Sequence, residues 1–159
     1  MVPIIDAIGY YGPVILFTMT FYCFLERSPY LFVFIMGSIA NALLNKALKM
    51  TFQEPRPKGQ IPFIDHDHQI GTEQYGLPSG HAQSSFFSLA FLFFANGPPA
   101  FLYTMSFLCI LTLYQRWKYR RHSIRQLVIG SLIGISFAYV LVYSTQYYLY
   151  GSKNTLLYI

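Results

Sequence analysis

The sequence predicts an all-α fold, a multi-span membrane helical bundle of about five transmembrane helices forming one domain over residues 1–159. Two observations carry that prediction. Hydrophobic residues make up 54% of the 159 positions, aromatic residues 19% and charged residues only 11%, a balance typical of membrane chains. The apolar residues also fall in five runs, at about 8–25, 29–48, 82–96, 99–114 and 124–146, to be compared with the roughly 20 residues a span needs.

The elements follow in order. The first run has no basic residue before it and no small-residue cleavage site followed by a soluble domain, so it is expected to stay as an anchor. Glu26-Arg27-Ser28-Pro29 ends it and opens the second run. The third and fourth runs are short. Asn96-Gly97-Pro98-Pro99 joins them as a tight hairpin, because proline cannot continue a helical ladder and glycine accepts the turn. Cys23 and Cys109 lie inside apolar runs, where thiols behave as small buried hydrophobes. No internal repeat or low-complexity tract interrupts this plan.

Three polar stretches interrupt the apolar background. The first is Lys49 with Arg56-Pro57 after six intervening residues; the second is Tyr75-Gly76-Leu77-Pro78-Ser79-Gly80-His81-Ala82-Gln83; the third is Arg116 with His122 and Gln126. If the five helices alternate across the bilayer, all three stretches lie at junctions on one face. Nine of the eleven Lys and Arg residues (46, 49, 56, 58, 116, 118, 120, 121 and 125) share that face, leaving Arg27 and Lys153 opposite. Acidic residues are limited to Asp6, Glu26, Glu54, Asp65, Asp67 and Glu73, so the cations after residue 115 have few local carboxylates. A cation cluster without local partners in a half-buried setting favours an anionic ligand. The free N–H groups of Ser79, Gly80 and His81 at a helix start suit a phosphate, and Gly80 lets the backbone approach it closely. Two histidines beside such a pocket can divide nucleophile and proton-donor tasks in phosphoryl transfer.

The pattern Lys-x6-Arg-Pro, then Pro-Ser-Gly-His, then Arg-x5-His resembles the type 2 phosphatidic acid phosphatase superfamily over residues 41–134. The resemblance implies that Lys49, Arg56 and Arg116 hold the phosphate, with Ser79 and Gly80 completing the cradle. It implies that His122 is the nucleophile, forming a phosphohistidine, and His81 the general acid. It implies no metal and no other cofactor. Gly130 and Gly134 fit the helix after the third motif, where small residues let helices pack closely.

Two positions depart from that pattern. Gln115 replaces a Ser before the arginine, and Gln126 replaces the Asp that orients the nucleophilic histidine. Gln126 together with Gln53-Glu54-Pro55-Arg56-Pro57, Tyr75-Gly76 and Gln83 is similar to the dolichyl diphosphate phosphatase branch, where glutamine takes the orienting position. That resemblance implies a lipid diphosphate or phosphate substrate, membrane lipids as the other partners, no nucleic acid, and a multi-pass location in the endoplasmic reticulum or another internal membrane. Broad lipid phosphate phosphatase activity and a catalytically degenerate scaffold of the same fold are the alternatives. The Lys/Arg bias places the motif face in the cytoplasm, whereas the family orientation places it in the lumen or outside. The family commonly has six spans.

Read alone, Lys49 is a snorkelling interfacial residue and Arg116 to Arg125 a positive-inside flank. The joint spacing favours the phosphate site. Asp65-His66-Asp67-His68 offers alternating metal-type ligands, but a solvated cap over the pocket is the expectation for this loop. Tyr143, Tyr147, Tyr148 and Tyr150 read as an interfacial aromatic belt.

Overall fold

The computed structural model describes residues 3–63 and 71–151. Asp65-His66-Asp67-His68 lie outside the described residues. Five α-helices hold about three quarters of the described residues: α1 (Ile4–Cys23), α2 (Ser28–Phe52), α3 (Gly80–Phe94), α4 (Pro99–Lys118) and α5 (Ile124–Tyr150). Among the described residues of the α2–α3 connection, Gly71–Gln74 form a 3-10 turn. The described residues contain no β-sheet, only an isolated bridge between Pro55 and Tyr75.

Local chemistry sets the helix boundaries. Pro29 and Pro99 occupy first turns, where a missing N–H costs nothing. Ser79 caps α3, its hydroxyl accepting from the Ala82 N–H. Ser123 and Gln126 form a reciprocal capping box at the start of α5. Gln53 ends α2 in the left-handed region at φ 46°.

α3 is the hub, packing on each of the other four helices and most extensively on α5, while α1 lies chiefly on α4 and barely meets α2. The α3–α5 approach is close because a Cβ at Gly134 would fall 2.2 Å from the Gln83 carbonyl oxygen, and one at Gly130 would fall 2.6 Å from that of Ser79. Both glycines thus meet the expectation of tight helix packing. The core between the helices is apolar and aromatic, with Leu16, Phe34, Phe87, Phe91, Met105 and Val142 buried. Large apolar side chains such as Phe32, Tyr103, Phe107, Ile110 and Leu132 point outward, as a lipid-facing surface requires. Tyr143, Tyr147, Tyr148 and Tyr150 are exposed at the end of α5 remote from the motifs. Cys23 and Cys109 are both free thiols.

Three helices, α1, α2 and α5, are long and apolar enough to cross a membrane. The other two differ from a simple five-span picture for separate reasons. α3 has 15 residues, about 22 Å at the α-helical rise, and its four helical neighbours shield it from lipid. α4 has 20 residues but carries Thr104, Ser106 and Thr112, whose hydroxyls donate to carbonyls one turn back at 2.8–3.0 Å.

Candidate active site

Alternation of the helices brings the end of α2, the start of α3, the end of α4 and the start of α5 to one end of the bundle. The start of α1 joins them. Tyr10, Lys49, Arg56, Glu73, Gly80, His81, Arg116, Arg121 and His122 line one cavity there, of about 280 Å³. Six of the eight residues singled out from the sequence face it: Lys49, Arg56, Gly80, His81, Arg116 and His122.

Each motif is held by local structure. Lys49 lies in the last turn of α2, is only 2% exposed, and donates to Glu73 Oε1 at 2.9 Å. After Gln53 turns the chain, Arg56 donates from Nη2 to Glu73 Oε2 (3.1 Å), from Nε to the Glu73 carbonyl (2.8 Å) and from Nη1 to the Arg121 carbonyl (3.3 Å). The guanidinium therefore ties the first motif to both the loop and the third motif. Arg116, in the last turn of α4, donates to Gln115 Oε1 at 2.7 Å and lies over the Tyr10 ring, 4.8 Å from its centroid. Gln115 thus orients Arg116 from the position where the family pattern has Ser.

The turn between α4 and α5 is tight: Arg120 takes φ 52°, and the Arg121 N–H returns to the Arg116 carbonyl at 2.9 Å. That reversal places His122 beside Arg116. His122 is 3% exposed, and its Nδ1 lies 2.9 Å from the Gly76 carbonyl oxygen. Acceptance by that carbonyl assigns the proton to Nδ1 and leaves Nε2 with its lone pair. Burial, and then the charges of Arg56, His81, Arg116 and Lys49, hold the His122 imidazole well below the usual histidine range. At neutral pH the ring is a neutral base. Tyr10 stacks on Phe63 at 4.9 Å and stands 5.8 Å from the His81 ring, forming an aromatic wall.

Two expectations are corrected by geometry. Ser79 does not offer its N–H to the cavity, because that group donates to the Gln126 carbonyl at 3.2 Å while the hydroxyl caps α3. Gln126 directs its amide hydrogen bonds to groups other than the His122 ring: its Nε2 donates to Glu54 Oε1 (2.9 Å) and the Pro55 carbonyl (3.0 Å), and its Oε1 accepts from the Ser123 N–H (3.1 Å). The capping box draws the amide toward the helix start and the 53–57 segment, away from the imidazole.

The cations are also better compensated than their sequence neighbourhood implied. Lys118 pairs with Asp6 at 2.6 Å, Arg125 with Glu54, and Lys49 and Arg56 share Glu73. Burial pushes the Glu73 carboxyl up, but the Lys49 hydrogen bond and the charges of Lys49, Arg56 and Lys46 outweigh it and hold the group below its usual range. Sequence reasoning missed Tyr10, Glu73, Arg121 and the Gly76 carbonyl as members of the site. Helix alternation was the one signal able to bring Tyr10 there; Glu73 and Gly76 carry no local mark of their partners.

Beneath the cavity a buried amide network fixes the α2–α3 contact. Gln83 Nε2 donates to Asn41 Oδ1 at 2.8 Å, and Asn45 Nδ2 donates to Gln83 Oε1 at 2.8 Å and to the Pro78 carbonyl at 3.3 Å. The second motif is thereby pinned to α2 just below Lys49. Among the described residues, no three His, Cys, Asp or Glu side chains gather as a metal-ligand set.

Residues 29–150 match the PAP2 superfamily. The chain belongs to that superfamily. Over 122 residues this PAP2 chain is 28% identical to "Lipid phosphate phosphatase epsilon 2, chloroplastic" of Arabidopsis thaliana, a match covering 72% of the chain and 37% of that relative. The chain thus aligns with little more than a third of the curated relative it matches. No solved structure matches it.

Proposed function

We propose that this PAP2 protein is an integral membrane phosphatase that hydrolyses the terminal phosphate of a polyprenyl diphosphate of the dolichyl type through a phosphohistidine at His122. The carrying observation is the cavity in which a neutral His122 stands with His81 among Lys49, Arg56, Arg116 and Arg121. Four cations suit the dense charge of a diphosphate, and a neutral imidazole is the form that can attack phosphorus.

In this reading His122 Nε2 donates its lone pair to the terminal phosphorus, in line with the bridging oxygen. The bond from phosphorus to that oxygen breaks, and the departing polyprenyl monophosphate takes a proton from His81 in its imidazolium form, which the negative charge of the bound diphosphate favours. Water then attacks the phosphohistidine, gives a proton to His81, and releases inorganic phosphate and free His122. Lys49, Arg56 and Arg116 balance charge on the transferring oxygens. Because the leaving phosphate monoester has a second pKa of about 6, it departs more readily than an alkoxide and asks less of the nucleophile. The reaction needs no metal. An open groove of about 270 Å³ lined by Pro13, Val14, Phe17, Ser38, Asn41 and Phe87 runs along the α1–α2–α3 seam, which supports tail entry from the bilayer.

A broader lipid phosphate phosphatase activity is the second reading, supported by the name of the plant relative. The test is phosphate release by purified protein in detergent with EDTA, comparing dolichyl diphosphate with phosphatidic acid, and wild type with His122→Ala. Diphosphate-preferring release that vanishes in the variant supports the first reading, and equal rates support the second. No release on either lipid from a folded protein would favour a scaffold that keeps the fold without turnover.

A further inference from the structure

We propose that the acceptor orienting His122 is the main-chain carbonyl of Gly76, and that Gln126 is a positioning residue acting through that carbonyl rather than on the imidazole. The inference rests on the reading of His122 as the nucleophile.

Three sets of contacts carry it. The Gly76 oxygen lies 2.9 Å from His122 Nδ1. The Gly76 N–H donates to the Glu54 carbonyl at 2.7 Å, anchoring the peptide from the opposite side. The Gln126 amide rests against the Gly76 Cα so closely that a Cβ added there would meet its Nε2, Oε1 and Cδ at 2.5–2.7 Å. That amide is itself immobilised by Glu54, Pro55 and Ser123. Gln126 and the 54–55 backbone thus grip the Gly76 peptide from two sides and set the direction of its carbonyl.

The same geometry explains why an amide fits this place better than a carboxylate. The groups facing the Gln126 terminus are the Glu54 carboxylate, the Pro55 carbonyl and the Ser123 N–H, so the position needs a donor and an acceptor at once. An amide has both, and an ionised carboxylate only accepts. Gln126→Asp, which recreates the more common family pattern, would set two carboxylates against each other, with Arg125, outside on Glu54, as the ion-pair partner among the described residues. It also shortens the side chain that seats Gly76. The glutamine and the carbonyl form one device: the amide places the peptide, and the peptide places the proton on Nδ1, keeping Nε2 aimed at phosphorus.

The test uses the full chain in detergent with ¹⁵N-labelled histidine, the His122 signals being identified by their loss in His122→Ala. Wild type is expected to show His122 protonated on Nδ1. In Gln126→Glu and Gln126→Leu that tautomer gives way to a mixture, and kcat for lipid phosphate release falls about 10²-fold, the usual cost of a small misplacement. KM changes by no more than about threefold, because ground-state phosphate binding is left intact. Combining Gln126→Glu with Glu54→Gln reverses donor and acceptor across the contact and is expected to recover about tenfold in kcat, or 1.4 kcal/mol. The swap decides the matter even if Gln126→Leu fails to fold. A wild-type His122 protonated on Nε2, Gln126 variants with unchanged tautomer and kcat, or a swap with no recovery would each overturn the proposal. If the tautomers respond as expected while wild type releases no lipid phosphate, the enzymatic reading falls and the positioning device stands.

Discussion

The two ends of the bundle make an instructive pair. At the end remote from the motifs, a cavity of about 490 Å³ is lined by Arg27, Pro29, Tyr30, Ala95, Asn96, Gln146, Leu149 and Tyr150. It is larger than the cavity of about 280 Å³ on which the motifs converge, and smaller than an open groove of about 560 Å³ beside it, lined by Trp117, Arg120, His122 and Arg125. Its polar groups tie helix ends together: Arg27 donates to the Ala95 carbonyl at 3.1 Å, and Gln146 to the Phe94 carbonyl at 3.1 Å. At the motif end, four cations and two histidines converge on a smaller space. Volume does not distinguish the ends; convergent charge around a neutral base does.

The sharpest way to break that contrast is His122→Ala. Phosphate release from a lipid diphosphate should fall by about 10⁵-fold, the scale on which removing a nucleophile acts, while thermal unfolding in detergent changes little. Arg116→Ala comes next, with an expected loss of about 10²–10³-fold in kcat for a charge aimed at the transferring oxygens. Arg27→Ala, the matching cation at the other end, should leave turnover within about twofold and lower stability by about 1 kcal/mol through one lost hydrogen bond. Equal losses for Arg27 and Arg116 would erase the distinction.

A pH profile sharpens it further. His122 is held below the ordinary imidazole range, so it remains a free base as pH falls through 6.5, the unperturbed value. The acid limb of kcat/KM should therefore appear below that value rather than at it, since activity is lost only when the folded enzyme's imidazole takes a proton. An acid limb centred at 6.5 or above would contradict a buried nucleophile among cations.

A separate readout, product inhibition, concerns Glu73. Its carboxylate occupies Lys49 and Arg56 and is 56% exposed, so solvent screening keeps its influence modest. Glu73→Gln should tighten product inhibition by inorganic phosphate about fivefold, the cradle having lost a competing anion. Weaker inhibition would instead mean that Glu73 holds the two cations in place for the ligand.

Much of this architecture was legible in the chain. Helix α2 was expected at 29–48 and runs over Ser28–Phe52; α5 was expected at 124–146 and runs over Ile124–Tyr150. Hydropathy and the Pro and Gly signals are local, so they read directly. Lys49, Arg56, His81, Arg116 and His122 were expected at one end and line one cavity there, because fixed spacing within each motif and alternation between motifs are linear properties. The shortness of α3 was harder to interpret, since only the packed bundle shows a helix shielded by four others. Gln126 was assigned to the right neighbourhood and the wrong partner.

The sequence by itself determined an apolar helical bundle, the approximate positions of its five helices and the gathering of three motifs at one end. Only the tertiary structure decided which groups pair there. Asp6 meets Lys118 across 112 positions, Gln126 meets Glu54 across 72, and His122 meets Gly76 across 46. Helix formation depends on neighbours within a turn or two, whereas the partner of a buried proton is chosen by distance in space, which no local pattern records.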